Sequence, residues 1–485
     1  MAGNYQKGMY NQLMEVMARL DTVEKEHKQE VCRLDNEIFD LKAENQTLRI
    51  ENQLLRDDNA RLKSIINNDS SNTSLPPSTD QKGCKAPNTF NGREKSGRKA
   101  GGQKGHKGTT LTKAEVEEKI QSGKCRHQIK NIGNIGNKQY ITKYVVDLDV
   151  APLITEVRIY ADKKGKFHIP AEYRSDVVYG SNVKAMAVAL YSEGVMANDR
   201  IAAFLNASSN GELGLSNGSV YAFCKSFSEK AETSIANIEN ELLNQEVVAT
   251  DATPVTVNGK QCYIRNFSVK NAVFYRAMKE KTLKALGKLR FLEEFAGILV
   301  HDHETALYHF GTDHAECNVH IIRYLQKNTE DTGHKWSGEM ISLLCEMNQK
   351  RKQFIQQGLK EFSKDIISDY EKKYFGLLAV GRAENKKTSH KYAQKDEKAL
   401  LNRMDKYSHN HLLFLHDFRV SFDDNISERD LRKAKNRQKM SGGFRKDSGH
   451  EMYCKILTII ETLKRRNMAI LENIKQLFVG TPAIF

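Results

Sequence analysis

The sequence has one Trp and seven Pro in 485 residues, and no two of its eight Cys form a Cys-x-x-Cys pair. Scattered cysteines (32, 84, 125, 224, 262, 317, 345 and 454) argue for a reducing compartment, and against both a disulfide framework and a paired-Cys zinc ribbon. No stretch approaches the ~18–20 uninterrupted apolar residues of a membrane helix, so no membrane partner is expected. The N-terminus, MAGNYQKGMYNQL, has no apolar segment behind a basic start, which argues against secretion. Length alone predicts about three domains.

Acidic excess is also missing: 75 Lys+Arg face 61 Asp+Glu, a net charge of +14. That excess is local. Residues 82–113 carry nine Lys/Arg against Glu94, and residues 429–446 carry eight against Asp430, leaving the remainder close to neutral. Basic tracts on a balanced chain suggest a polyanion such as nucleic acid; a solvated linker or surface is the alternative reading.

Near the N-terminus, Leu34, Leu41, Leu48, Leu55 and Leu62 recur every seven residues, with Val31, Ile38, Asn45, Asn52, Asn59 and Ile66 at the complementary heptad position. Leu at d with Val, Ile and Asn at a predicts a two-stranded parallel coiled coil over 1–67, and hence a homodimer. The alternative is one long helix packed on its own chain. A basic-zipper factor does not fit, because TVEKEHKQEVCR, just before the first Leu, mixes charges.

Residues 68–114 read as a linker, first Ser/Asn-rich with Pro76-Pro77, then the Gly- and Lys-rich SGRKAGGQKGHKGTTL. Arg98, Lys99, Lys104 and Lys107 of that tract are candidate DNA contacts. Residues 115–180 predict a small β-rich module with strands in YITKYVVDLDV and ITEVRIYA. Residues 181–244 predict helices, two of which (around SNGSVYAF) have the spacing of a helix-turn-helix or of any helical hairpin.

From 245 the period changes. VVATDATPVTV, Asn258-Gly259 and KQCYIRNFSV predict two strands joined by a type I′ turn, followed by a third strand NAVFYRAM, an amphipathic helix KEKTLKALGKLRFLEEF and a buried strand AGILVHD. This is the opening order of an α/β ribonuclease-H-like fold, expected over 245–450 before a helical segment at 451–485. Pro254 predicts a bulge just after Asp251. Asp251 and Asp302 each end an apolar run; either they cap turns, or they form a pair that needs a divalent cation such as Mg²⁺ or Mn²⁺ to be stable. Glu428, in FDDNISERDLRKAKNRQK, is either a third ligand or the Glu of a capping box begun by Asn425.

These pieces together resemble a transposase of the insertion sequence sixty-six family: the zipper, SSNTSLPPSTD, GRKAGGQKGHKGTTL, the strand with Asp251-Ala252-Thr253, HDHETALY, ECNVH, NISERDLR and QKMSGGFR. The resemblance implies a DDE-type ribonuclease-H-like catalytic domain with Asp251, Asp302 and Glu428 as catalytic and metal-binding triad. Asp302 lies 51 positions after Asp251, and Glu428 a further 126, so a largely helical insertion is expected at about 325–415. Cys317 and His320 match a supporting Cys-x-x-His pair. Two departures stand out. Ala252 occupies a position where the family commonly has Glu, and the family's Cys-rich zinc module is reduced to Cys125, so no structural zinc is expected. A site from Cys125 and His127 with Cys84 or His106, or from His314, Cys317 and His320, is the minor alternative.

The resemblance implies a bacterial, cytoplasmic, DNA-associated enzyme. It would cut element ends (terminal inverted repeats) and transfer the strands to target DNA with two metal ions, assisted where needed by element-encoded accessory proteins. Arg429, Arg432, Lys433 and Arg437 are candidate phosphate contacts beside the scissile bond. The rivals are a non-catalytic dimeric architectural protein and a ribonuclease-H-like nuclease without strand transfer.

Overall fold

In the computed structural model, which describes residues 2–66, 68, 72, 111–123, 127–129, 141–146, 150–193, 195–388 and 390–485 (side chains from residue 8), Asn258 and Gly259 both take positive φ, 48° and 74°. That is the type I′ turn the dipeptide predicts. It joins β1 (Val247–Val257) to β2 (Lys260–Ser268) in an antiparallel ladder unbroken from Ala249↔Ser268 to Val257↔Lys260. The predicted bulge is therefore absent. Pro254 sits on the side of β1 facing β4 (Ile298–His301), and β4 pairs with β1 only as far as Ala249↔Val300, so the missing N–H breaks no ladder bond.

β3 (Val273–Met278) pairs antiparallel with β2, and β5 (Asp313–Glu316) parallel with β4, giving a mixed sheet in the order β3-β2-β1-β4-β5. This order, flanked by helices, fits the ribonuclease-H-like expectation. The continuous helix predicted for 279–295 is instead two short pieces, α7 (Leu283–Leu286) and α8 (Arg290–Glu294). Gly287 ends the first, and Leu289 is extended so that Phe291 and Leu292 can turn into the core.

The chain forms two compact units, residues 1–88 with 318–418 and residues 89–317 with 419–485. In the second, α3 (Ser181–Ser192), α4 (Asn198–Ser208), α5 (Asn217–Lys230) and α6 (Glu232–Leu243) precede the sheet, and α14 (Asn425–Ser441), α15 (Asp447–Arg465) and α16 (Ile470–Phe478) follow it. α14 packs on β1 and β2, and α15 on β3. Thr458 and Thr462 of α15 accept the β3 amides of Tyr275 and Val273 at 3.0 and 3.2 Å, closing that edge of the sheet. The QKMSGGFR motif covers the part of β1 that runs on past its pairing with β4. Gln438 accepts the Thr256 amide at 2.9 Å, and the Phe444 amide donates to the Thr256 carbonyl at 2.7 Å. Gly443 makes this approach feasible: its φ is +124°, and a Cβ there would meet the Thr256 carbonyl oxygen at 2.3 Å.

The strands expected within 140–160 are not formed among the described residues. That region contributes α2 (Lys113–Gln121), extended segments and a 3₁₀ turn at Ala171–Tyr173. Its apolar side chains, such as Val145, Leu153 and Ile154, are exposed, with no facing layer to fix a ladder.

In the first unit, α1 (Ala2–Ile66) runs 65 residues, about 100 Å at 1.5 Å per residue. All five heptad leucines on it are exposed. The inserted segment is helical as expected: α9 (Asn318–Thr332), α10 (Lys335–Gln356), α11 (Lys364–Asn385), α12 (Lys391–Lys406) and α13 (Ser408–His416). They centre on Trp336, whose indole N–H donates to the buried Glu397 at 2.7 Å.

Candidate active site

Ala249↔Val300 is the last paired position between β1 and β4. Asp251 lies two residues beyond it on β1, and Asp302 two residues beyond it on the chain leaving β4. The parallel register thus sets both carboxylates at the same level on neighbouring strands, which run ~4.8 Å apart. The third acid comes from α14. The helix begins at Asn425 with Asp424 at the cap position, so Glu428 sits four residues from the cap, one beyond the place a capping-box Glu occupies.

The first turn of α14 is tied to the sheet by groups the sequence reading did not single out. Asn266 on β2, directly opposite Asp251, accepts the Asp251 amide at 3.0 Å and donates to the Ser427 carbonyl at 2.9 Å. One turn on, Asp430 accepts from Ser268 at 2.6 Å and pairs with Arg465. Cys317 supports the same corner: its thiol accepts the Asp424 amide at 3.3 Å, and its own amide donates to the His301 carbonyl at 2.9 Å.

The charges of these acids act on one another. Burial pushes the Asp251 carboxyl up to about 6, and the Asp302 charge adds to it; the Ala252 amide, Lys281 and Lys435 pull the other way. The Asp424 carboxyl is held well above the usual carboxylate range by burial first and then by Asp251, with Glu428 and Asp302 adding to the effect and Ser427 opposing it. Four acids from three elements therefore lie near enough for their charges to act on one another, and Asp424 is the one the sequence argument passed over. Its only signal was its place immediately before a basic helix, which a capping Asp would share.

Beneath the pocket, the fully buried Arg265 donates twice to Glu304, both at 2.6 Å, and once to Thr250 at 3.1 Å. Arg265 is the cross-strand partner of Ala252, so position 252 projects to this face and not to that of Asp251. A Glu at 252 would point away from the triad.

Not every predicted residue falls where expected. Lys433 pairs with Glu193 and with Glu461, and the buried Arg437 donates to the Met196 carbonyl at 2.8 Å while stacking 4.5 Å from the Tyr191 ring. Both cations are engaged inside the fold, where the inner face of α14 neutralises acids and caps a loop. Arg429 and Arg432 are exposed. His320 follows Cys317 by three residues, in the first turn of α9, and nothing in the structure contradicts its supporting role. His314 faces His301 at 3.2 Å. Arg98, Lys99, Lys104 and Lys107, like Cys84, His106 and Cys125, lie outside the described residues.

Residues 177–452, more than half of the chain and all four acids, match the family model described as Transposase IS66 family. The chain belongs to the IS66 transposase family. Membership carries with it a DDE transposase domain, a DNA substrate and a divalent metal. Residues 12–112, most of α1 and the Gly/Lys tract, match a family of unknown function, DUF6444. A search of curated proteins gives no match. Among the described residues, no helix of this IS66 member is long and apolar enough to cross a membrane.

The Asp251 shift has a testable consequence. The unfolded carboxyl titrates near 3.8 and the folded one near 6, so the metal-free folded chain binds this proton more tightly. The stability owed to Asp251 therefore falls as pH rises from about 4 to about 6, a change worth about 3 kcal/mol. Metal-free Asp251→Asn should melt close to wild type at pH 4 and increasingly above it up to pH 6–7. The buried His301, His314 and His450, whose pKa values are lowered, affect both proteins equally and cancel in the difference. A difference in melting temperature that does not change with pH would refute the upward shift of the Asp251 carboxyl.

Proposed function

We propose that this transposase cuts the ends of its own DNA element and joins the freed 3′ ends to target DNA, with Asp251, Asp302 and Glu428 as the catalytic carboxylates. What supports the reading is that these acids, from β1, the end of β4 and the start of α14, lie near enough for their charges to act on one another or on the neighbouring Asp424.

The residues present suit Mg²⁺ or Mn²⁺. The donors are hard carboxylate oxygens, and one of them, Oδ1 of the buried Asp424, has no hydrogen-bond partner. When bound, such ions lower the pKa of the attacking water or DNA hydroxyl and stabilise the leaving 3′ oxygen. The protein's part is positioning. Asn266 and Cys317 fix the backbones of Asp251 and Asp424, and the Arg265–Glu304 pair fixes the turn after Asp302, whose carbonyl accepts the Glu304 amide at 2.5 Å. No Ser or Tyr nucleophile is needed.

The exposed Arg429 and Arg432 would meet phosphates beside the scissile bond, with Arg98, Lys99, Lys104 and Lys107 tracking the backbone further away. The helix pair α4–α5 is the reading-head candidate. A homodimer through the exposed leucine stripe of α1 would bring two sites to two element ends, with accessory proteins joining where the element encodes them.

The test is purified full-length protein with element-end DNA, target DNA and Mg²⁺. Cleaved ends and joined products are expected. Cutting without joining would favour a nuclease, and tight binding without cutting an architectural protein. In the same preparation, Arg429→Ala and Arg432→Ala should each flatten the salt dependence of binding by about one phosphate contact. Sedimentation should give a dimer that Leu48→Lys converts to monomer; a wild-type monomer at micromolar concentration would remove the zipper from the reading.

A further inference from the structure

We propose that Asp424 is a fourth carboxylate ligand of the divalent cations at this site, making the pocket a four-acid site and not a triad alone. The inference rests on the carboxylate–metal reading above and extends it to a residue that reading does not require.

Position is the first argument. Asp424 stands where a helix-capping Asp would stand, yet its side chain makes no capping bond to the amides of α14. Its backbone is fully engaged: the amide donates to Cys317, and the carbonyl accepts from the Glu428 amide and the Ser427 hydroxyl, both at 3.2 Å. The residue's backbone is thus held in place, with Oδ1 of its carboxylate left without a hydrogen bond.

Burial is the second. Asp424 is 1% exposed, and Oδ1 has no hydrogen-bond partner. The charges that act on it most are those of Asp251, Glu428 and Asp302, which oppose its ionisation, while the Ser427 hydroxyl eases it. Burial without a cation beside it disfavours the anion strongly. Such a group must hold a proton or meet a cation.

Charge balance decides between them. Asp251, Asp302, Asp424 and Glu428 carry four negative charges when ionised, and two divalent ions carry four positive ones. Three acids would leave the pair of ions with excess positive charge in a low-dielectric pocket. Asp424 closes that gap, and its backbone link to Glu428 places both ligands on one rigid helical turn.

The test is metal binding by the full chain, read without DNA. After chelation, Mn²⁺ is titrated into wild type, Asp424→Asn and Asp251→Asn, following both bound Mn²⁺ by electron paramagnetic resonance and the melting temperature. Wild type is expected to bind two Mn²⁺ per chain. Asp424→Asn should lose one Mn²⁺, or bind it at least tenfold more weakly. Its metal-free form should nevertheless melt above metal-free wild type, because one of four repelling charges has gone. Should Asp424→Asn not fold, Asp424→Cys serves, since a thiolate ligand should shift the site's preference toward Cd²⁺.

Wild-type stoichiometry and affinity in Asp424→Asn, or an unshifted Cd²⁺ preference in Asp424→Cys, would overturn the inference. If Asp251→Asn loses metal while Asp424→Asn does not, only the fourth ligand fails. If wild type binds no Mn²⁺ at all, the whole carboxylate reading fails with it.

Discussion

Asp251→Asn, Asp302→Asn and Glu428→Gln are each expected to lower DNA cleavage and joining by at least ~1,000-fold, about 4 kcal/mol of barrier, while binding of element-end DNA stays within about twofold. These amide substitutions keep the shape of each side chain and remove only the ionised oxygen. The metal-free fold should not suffer, because burial and mutual repulsion already strain the ionised pocket: Asp251 is pushed up to about 6 by burial and by Asp302. Asp430 supplies the contrast. It lies on the same helix, two residues after Glu428, but is committed to Ser268 and Arg465. Asp430→Asn should therefore loosen the packing of α14 and lower the melting temperature, with metal binding retained by the folded fraction. Cleavage within tenfold of wild type in any of the three triad variants would remove that residue from the chemistry.

Much of this architecture was legible because local signals agreed with tertiary demands. Asn258-Gly259 fixes its turn through positive φ alone, whatever surrounds it. The apolar run before Asp302 is too short for a helix and became β4. Where the reading failed, the deciding partner was remote in sequence. Pro254 suggested a bulge because the early end of β4 could not be read locally. For Lys433 and Arg437 the partners that engage them, Glu193, Glu461, Tyr191 and the Met196 carbonyl, belong to other helices and a distant loop, out of reach of a local reading. The segment 279–295 kept helical periodicity, yet the need to bury Phe291 and Leu292 beside the sheet broke it at Gly287. The same holds for the site. Two aspartates at strand ends are visible in a sequence, whereas the choice among Asp423, Asp424, Glu428 and Asp430 depends on which face of α14 meets β1. Asn266, which sets that face, reads in sequence as an ordinary polar residue in a strand.

Arg265→Met should destabilise the sheet-bearing unit by about 3–5 kcal/mol, the largest loss expected from any single substitution near the pocket. Arg265 is fully buried, and both its bonds to Glu304 are short and charge-assisted. Removing the guanidinium leaves Glu304 with Lys281, 3.7 Å away, as its remaining salt-bridge partner. Arg265→Lys keeps the charge but not the second nitrogen, which donates to Thr250, so it should recover part of the loss. Glu304→Gln in the Arg265→Met background should recover more, because it removes the stranded charge; that non-additivity is the signature of a coupled pair. Trp336, the sole tryptophan, lies in the other unit, so its fluorescence does not report this transition. Hydrogen exchange of β1 and β2 peptides does. The consequence reaches the chemistry through the backbone, since the Glu304 amide donates to the carbonyl of Asp302. Loosening Glu304 should free the turn that aims Asp302, weakening Mn²⁺ binding even in the fraction that remains folded. Full-strength metal binding in folded Arg265→Met would mean that the ion pair stabilises the sheet without positioning the acid.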